Sequence, residues 1–348
     1  MKEFDYEKLA ERTWDKEVLN YIGLIHEYKG RQQLYLKQKP DGLDRLVELA
    51  KIQSTESSNE IEGIRTTNSR LKQLMADKTT PKNREENEIL GYRYALNLVH
   101  DSFEYIPIRP NFILQLHKEM YQFMEVNFGG KFKDTPNEID AVYPDGHKEV
   151  IFKPLDPFET PEAVNRLCEE YNDAINKYNV DPLIAIPVFI HDFLCIHPFN
   201  DGNGRMSRLL TTLLLYKSGY MVGKYISLEK KIQITKQEYY EALSKSSKNW
   251  LENDNDDTPF VKYLLGTILA VYRDFEERIN VVSEKMSAFE MVEKAVKSKL
   301  GKFTKSDIME LCPEIGRASV ENALKKLCDD GIIEKHGGGR SVFYSPKN

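Results

Sequence analysis

His197-Pro-Phe-Asn-Asp-Gly-Asn-Gly-Arg-Met-Ser-Arg208 is the stretch on which the reading of this chain turns. Apolar segments flank it: Ile184-Ala-Ile-Pro-Val-Phe-Ile-His-Asp-Phe-Leu-Cys-Ile196 before, and Leu209-Leu-Thr-Thr-Leu-Leu-Leu-Tyr216 after. Both read as buried helices, so the polar string is a helix–loop–helix junction with Pro198 just past the first helix. Pro187 within that helix removes a backbone hydrogen bond and is expected to kink it. Gly202 and Gly204 let the chain turn tightly and expose N–H groups at the start of the second helix, where the dipole favours an anion. Arg205 and Arg208, three apart, are expected to point along one face toward that anion. Asp201 offers a hard oxygen suited to Mg²⁺ bridging phosphates. His197, just ahead of the turn, is placed to take a proton from a hydroxyl. Base, metal carboxylate, anion hole and arginine clamp together describe phosphoryl or nucleotidyl transfer.

The string fills every fixed position of His-x-Phe-x-(Asp/Glu)-Gly-Asn-Gly-Arg-x-x-Arg and so resembles the signature of the Fic family. Gly129-Gly130-Lys-Phe-Lys133, the helix ending Cys195-Ile196, and Tyr239-Tyr240 before Trp250 extend the resemblance over roughly residues 90–275. It implies a mainly α, Fic-type helical core with a β-hairpin flap. It also implies that ATP is cleaved between its α- and β-phosphates, with AMP passing to a Ser, Thr or Tyr hydroxyl of a target protein or of the chain itself, and pyrophosphate leaving. On that resemblance His197 is the base, Asp201 holds Mg²⁺, Asn203 contacts the α-phosphate, and the backbone around Gly202 and Gly204 forms the anion hole. Arg205 would reach the β-phosphate and Arg208 the γ-phosphate, while Phe199 anchors the loop. Of the two tyrosines one packs inward and the other, Tyr240, faces the adenine.

Upstream, Ser57-Ser-Asn-Glu-Ile-Glu-Gly63 places Ser58 and Glu62 four apart, on one helical face, with Gly63 set to end the helix. In Fic proteins Ser/Thr-x-x-x-Glu-Gly is the inhibitory motif, and the resemblance pairs Glu62 with Arg208. An arginine held by a carboxylate is unavailable to phosphate. Two other readings stay open: a DNA-binding regulator whose Fic-like core senses a nucleotide, and an enzyme that mainly removes AMP, with Glu62 placing a water. His191 lies six residues from His197, lacks the spacing of a zinc pair, and reads as structural.

The remainder of the chain fits a cytoplasmic enzyme. Its 348 residues suggest two or three domains, and 41% hydrophobic with 30% charged residues and a net charge of −6 is ordinary composition. No apolar run approaches a membrane span, and the charged N-terminus is no signal peptide. Cys168, Cys195, Cys312 and Cys328 lack C-x-x-C spacing and read as reduced core thiols. The expected organisation is an N-terminal helical region over 1–95 carrying the inhibitory motif, a catalytic core over 96–280, and a winged helix-turn-helix unit over 281–348. Helices are expected around Val18–Gln38, Leu43–Glu62, Glu85–His100, Asn111–Val126 and Pro161–Tyr178, then onward to about Ile279. Glu138–Tyr143 and Glu149–Phe152 read as a hairpin around Pro144-Asp-Gly146, the position of the flap, with strand-like pairing to a target segment. Near the end, Phe303–Leu311 with Thr304 as N-cap, Arg317–Asp329, and a hairpin over Ile332–Tyr344 resemble a winged helix. Ser319, Glu321, Asn322 and Lys325 would face a major groove, with Arg317, Lys325, Lys326 and Arg340 as phosphate contacts. Eleven Lys and Arg against eight Asp and Glu over 291–348 is only weakly basic, so DNA and a protein or homodimer contact both remain open.

Overall fold

A computed structural model describes residues 2–38, 43–142, 148–282, 287–299, 301–312, 315–338 and 342–347. The turn expected at 144–146, the third glycine of the wing (Gly339) and Arg340 lie outside these residues. The architecture is mainly α with two short hairpins.

At its centre stand helices α8 (Pro182–Ile196) and α9 (Asn203–Lys217), packed on each other and joined by the 197–202 loop. Every residue of α8 from Leu183 to Ile196 is buried. A helix apolar on all sides has no solvent face to offer and takes the middle of the fold. Asp181 caps its start by accepting from the Leu183 N–H, and the helix runs on through Pro187. It stops at His197, which adopts the left-handed conformation (φ 51°, ψ 61°) normally left to glycine.

The other helices surround this pair. Helix α7 (Thr160–Asn176) covers α8, while α5 (Arg84–Ser102) lies against both α9 and α6 (Pro110–Met120). Helix α12 (Thr258–Val282) packs on α2 (Lys16–Gln38), α8 and α11 (Lys236–Ser246). Helix α3 (Leu43–Ile61) is wedged between α5 and α10 (Leu228–Ile234), which brings a segment distant in sequence to the central loop. The helix expected over 111–126 ends early, at Met120, because residues 121–124 form turns that lead into the loop below. The short α1 (Glu7–Glu11) and α4 (Asn68–Met75) were not anticipated; helices of five and eight residues carry too few apolar repeats to register as periodicity.

Strands β1 (Ile139–Val142) and β2 (Lys148–Phe152) pair antiparallel, with Ile139 opposite Phe152. Toward the end of the chain come α13 (Ala288–Lys297), α14 (Lys305–Leu311), α15 (Arg317–Asp329) and the antiparallel β3 (Ile333–His336) and β4 (Phe343–Pro346). Thr304 caps α14, with Asp307 reciprocating, as its position suggested. Ser287 and Glu290 form the same box on α13, a helix the sequence reading had not separated from what precedes it. Val320, Leu324 and Leu327 bury one stripe of α15, and a bridge between Phe303 and Tyr344 closes the wing onto the helices. This is a winged helix-turn-helix. Among the described residues no helix is long and apolar enough to cross a membrane, and no disulfide joins the four cysteines.

Candidate active site

The loop between α8 and α9 is held from beneath by a dense polar scaffold. Phe199 is fully buried and stacks flat on His117, ring centroids 3.7 Å apart. Nε2 of His117 meets the Asp201 carbonyl at 3.0 Å, and its Nδ1 accepts the Gly130 N–H at 2.9 Å. Burial lowers the His117 pKa to about 4, so the ring stays neutral and one tautomer serves both bonds. Lys133 reaches the Ile196 carbonyl (3.0 Å) and Asn137, whose amide donates to the carbonyls of His197 and Phe199. Buried carbonyls in an irregular loop need donors, and these side chains provide them. His117 and Asn137 had no signal in the sequence, because each looks ordinary until the fold brings it under the loop. Lys133 shows in the sequence only as part of the segment that resembles the family.

Above the scaffold, His197 exposes its chemistry. Its Nδ1 donates to the Leu194 carbonyl at 3.2 Å, which leaves the lone pair on Nε2. Burial brings its pKa down to about 4, and the ring is neutral at physiological pH. His197 lines a cavity of about 290 Å³ together with Gly204, Arg208, Glu62, Tyr240 and the flap residues Ile139, Ile151 and Phe152. Tyr239 is buried and Tyr240 stands 43% exposed, and both line the cavity.

Glycines shape the floor. Gly202 has φ +84° at the N-cap of α9, and a Cβ there would meet Met120 Cε at 2.7 Å and the Tyr121 hydroxyl at 2.8 Å. A Cβ on Gly204 would run into the Glu62 carboxylate. That carboxylate therefore sits over the first turn of α9, where the helix dipole attracts negative charge. The same group pairs with Arg208 Nη2 at 2.8 Å. Arg208 also donates through Nε to the Ser58 hydroxyl (2.8 Å) and through Nη2 to the Ser58 carbonyl (2.9 Å). Burial works against its charge, yet Glu62 together with Tyr239 and Tyr92 prevails and raises the pKa further. Gly63, at φ +81°, turns the chain just beyond α3. Ser58 and Glu62 thus meet the start of α9 across some 150 residues of sequence.

Two expectations are corrected. Arg205 and Arg208 do not point toward one anion. Carboxylates on different helices draw them apart: Arg205 is buried, its Nη1 2.8 Å from Glu88 Oε2 on α5 in an ion-pair contact rather than an aligned hydrogen bond, and its Nη2 donates to the Tyr121 hydroxyl at 2.8 Å. It does not line the cavity that Arg208 lines. Asn203 does not present its amide to a phosphate either. Its Nδ2 donates to the Phe199 carbonyl (2.8 Å) and its Oδ1 accepts the Phe199 N–H (2.9 Å), so the side chain braces the loop. Glu88, which also holds Arg84 at 2.9 Å, was missed, because an acidic residue inside a helix rich in them carries no mark of its partner.

Asp201 remains as the oxygen donor. Its Oδ1 accepts the Gly202 N–H at 2.6 Å, and its Oδ2 lies 3.8 Å from Arg84 on a side chain 43% exposed. No group of three or more His, Cys, Asp or Glu that could hold a metal occurs among the described residues. One accessible carboxylate fits Mg²⁺ arriving with a nucleotide, since that ion keeps its waters and shares substrate phosphates. His191 is buried, with Nδ1 2.9 Å from Asp257 Oδ1, and it does not line the cavity.

Residues 107–215 match the model of the Fic/DOC family. Over these residues, less than half of the chain, the core is similar to Fic domains. The Fic family protein from Desulfovibrio desulfuricans G20 superposes with a TM-score of 0.63 at 21% identity, covering 96% of this chain and 97% of that one. The Protein adenylyltransferase Fic of Drosophila willistoni is 31% identical over 188 residues, which are 52% of this chain and 32% of that protein. Protein adenylyltransferase fic-1 of Caenorhabditis elegans is 27% identical over 184 residues, again 32% of its length. The chain thus spans about a third of the length of these curated relatives. Residues 286–347 match a second model, the C-terminal domain of the transcriptional regulator DIP2311-like family.

Proposed function

We propose that this Fic-like core transfers AMP from ATP to a protein hydroxyl, with release of pyrophosphate. One observation carries the reading: His197, the first turn of α9 at Gly204, Arg208 and Tyr240 surround a single cavity of about 290 Å³. Its wall offers an aromatic face for a base, backbone N–H groups and a cation for phosphates, and a neutral imidazole for a proton. Nε2 of His197 takes the proton of the incoming hydroxyl as its oxygen attacks the α-phosphorus. The N-terminus of α9 steadies the charge growing on the phosphate oxygens, and Arg208 orients the leaving pyrophosphate. Asp201 would hold Mg²⁺ delivered with the nucleotide, which neutralises phosphate charge. Arg205, tied to Glu88 and Tyr121, serves by stiffening α9 unless nucleotide draws it away.

Glu62 is the brake in this reading. Its carboxylate holds Arg208 and stands at the helix start that the phosphates would use. Removal of AMP, with Glu62 directing a water, uses the same residues and remains the second balance point of one site. The winged unit is assigned to choosing a partner, with DNA favoured by the regulator-type match over residues 286–347. The division at 1–95, 96–280 and 281–348 is kept as a proposal about organisation, with α5 crossing the first boundary.

The test is label transfer. The Glu62→Gly chain, incubated with ATP labelled on the α-phosphate and a cell lysate, is expected to label protein bands that γ-labelled ATP does not. Labelling from the γ-phosphate alone would mean phosphoryl rather than adenylyl transfer. No transfer from either, with nucleotide bound, would favour the sensor.

A further inference from the structure

We propose that Cys195 is a base-activated thiol in the wall of the nucleotide cavity and a site of oxidation by small peroxides. The proposal borrows from the reading above only the identity of what fills the cavity. The AMP-transfer chemistry leaves Cys195 and its neighbours unused, and those neighbours are arranged for a different purpose.

Cys195 and His191 are one helical turn apart on α8, hence on one face. The Cys195 sulfur lies 3.4 Å from His191 Nε2 and 3.4 Å from the Ser247 hydroxyl. His191 Nδ1 lies 2.9 Å from Asp257 Oδ1, and the same carboxylate oxygen accepts from Asn255. Thiol, imidazole and carboxylate thus stand in series, with the carboxylate fixing the ring and favouring its charged form. Burial opposes that charge, but the sulfur and Asp257 prevail and raise the His191 pKa well above its ordinary value. Cys195 and Ser247 both line the cavity. With Cys195 only 1% exposed, small uncharged oxidants have an advantage over bulky thiols.

The chemistry closes with hydrogen peroxide as the oxidant. His191 Nε2 takes the thiol proton, and the thiolate sulfur attacks one peroxide oxygen. An S–O bond forms as the O–O bond breaks, and the departing hydroxide takes the proton from His191 to leave as water. Sulfur is oxidised by two electrons to a sulfenic acid and peroxide is reduced to water. The added oxygen protrudes into the cavity two residues before His197, so oxidation is expected to obstruct nucleotide.

The full chain provides its own control. Cys168 is equally buried, lies beside no such base, and has its thiol pKa pushed up to about 12 by burial. Native protein treated with hydrogen peroxide and dimedone should form an adduct at Cys195 at least about tenfold faster than at Cys168. Asp257→Asn should slow it, and an ATP analogue with a non-cleavable α–β linkage should protect it. Equal labelling of the two cysteines, or none at Cys195, overturns the proposal; this comparison needs no variant to fold. Undiminished labelling with analogue shown by equilibrium dialysis to be bound also overturns it. Failure of the analogue to bind refutes the nucleotide reading instead, and the Cys195 to Cys168 ratio then still decides this one.

Discussion

The 197–208 loop and the winged unit are both helix-flanked turns, but they spend their polar groups differently. In the loop several polar side chains have specific partners: Asn203 on Phe199, Asp201 on Gly202, Arg208 on Ser58 and Glu62. The polar face of α15 is generic by contrast. Glu321 receives both Lys305 of α14 (2.6 Å) and Arg317 (2.9 Å), so two cations of the winged unit are compensated by one carboxylate. A site that constrains each residue writes itself into sequence as a fixed string. A surface that needs only charge and shape leaves no comparable string. The contrast predicts that changes in the loop act steeply and changes in the wing act gently.

The steepest effect is expected from His197→Ala. Losing a general base costs about 10²–10⁴ in rate. ATP binding should stay near wild type, because the phosphate contacts proposed above lie on α9. Single-turnover transfer and nucleotide affinity measured side by side would separate the two, and transfer at the wild-type rate would remove His197 from the mechanism.

Glu62→Gly comes next. Releasing Arg208 from a charged hydrogen bond worth about 1.5–3 kcal/mol should raise labelling by roughly 10- to 100-fold. Adding Arg208→Ala should cancel most of the gain. Equal labelling by wild type and Glu62→Gly across Mg²⁺ concentrations would show that this ion pair is no brake.

These two residues also mark what the sequence could say. His197 and Arg208 are legible because a contiguous string demands them, and Glu62 because its spacing from Ser58 and Gly63 is itself a pattern. The buried helices α8 and α9 are legible from apolar runs alone. Glu88, His117 and Asn137 were not. Each acts by meeting the loop from another helix or turn, and only the packing of α5 and α6 against it decides which polar residue arrives there. The divergence of Arg205 from Arg208 was hidden for the same reason. Helical spacing placed them on one face, and carboxylates contributed by α5 and by the turn after α3 then pulled them apart.

Burial of neutral histidines gives a prediction about pH. His100, His117 and His197 have pKa values brought down to about 3, about 4 and about 4, chiefly by burial. Their unfolded value is about 6.5. As pH falls below that, the unfolded chain gains protons that the folded one refuses, so stability is lost between about pH 6.5 and 4. By pH 5 each contributes a loss on the order of 2 kcal/mol at most. His191, raised instead, favours the folded state on the acid side and partly offsets them. Urea midpoints should therefore fall from pH 7 to pH 5, with no loss of base function at His197 in protein that remains folded. Midpoints that rise on acidification would mean that His191 outweighs the other three.

The smallest effect on chemistry is expected from removing the wing. A fragment of residues 1–280 keeps every group assigned a role in AMP transfer, from Ser58 to Tyr240. It loses the covering of α12 by α13 and α14 and the Lys299–Glu277 contact at 3.6 Å. Exposed ion pairs of that kind are worth little, about 0–1 kcal/mol. Self-labelling by the Glu62→Gly form of the fragment should then stay within about twofold of the full chain, a shift too small to signal a lost catalytic contact. Gel-shift affinity for duplex DNA, by contrast, should belong to the full chain alone and fall steeply with added salt, because it rests on phosphate neutralisation. Freeing two cations at once, Glu321→Gln should tighten that binding. A folded fragment without transfer activity would place an essential group beyond residue 280. Absence of binding by the full chain at low salt would leave the wing as a protein contact, its compensated α15 face then being the surface to alter.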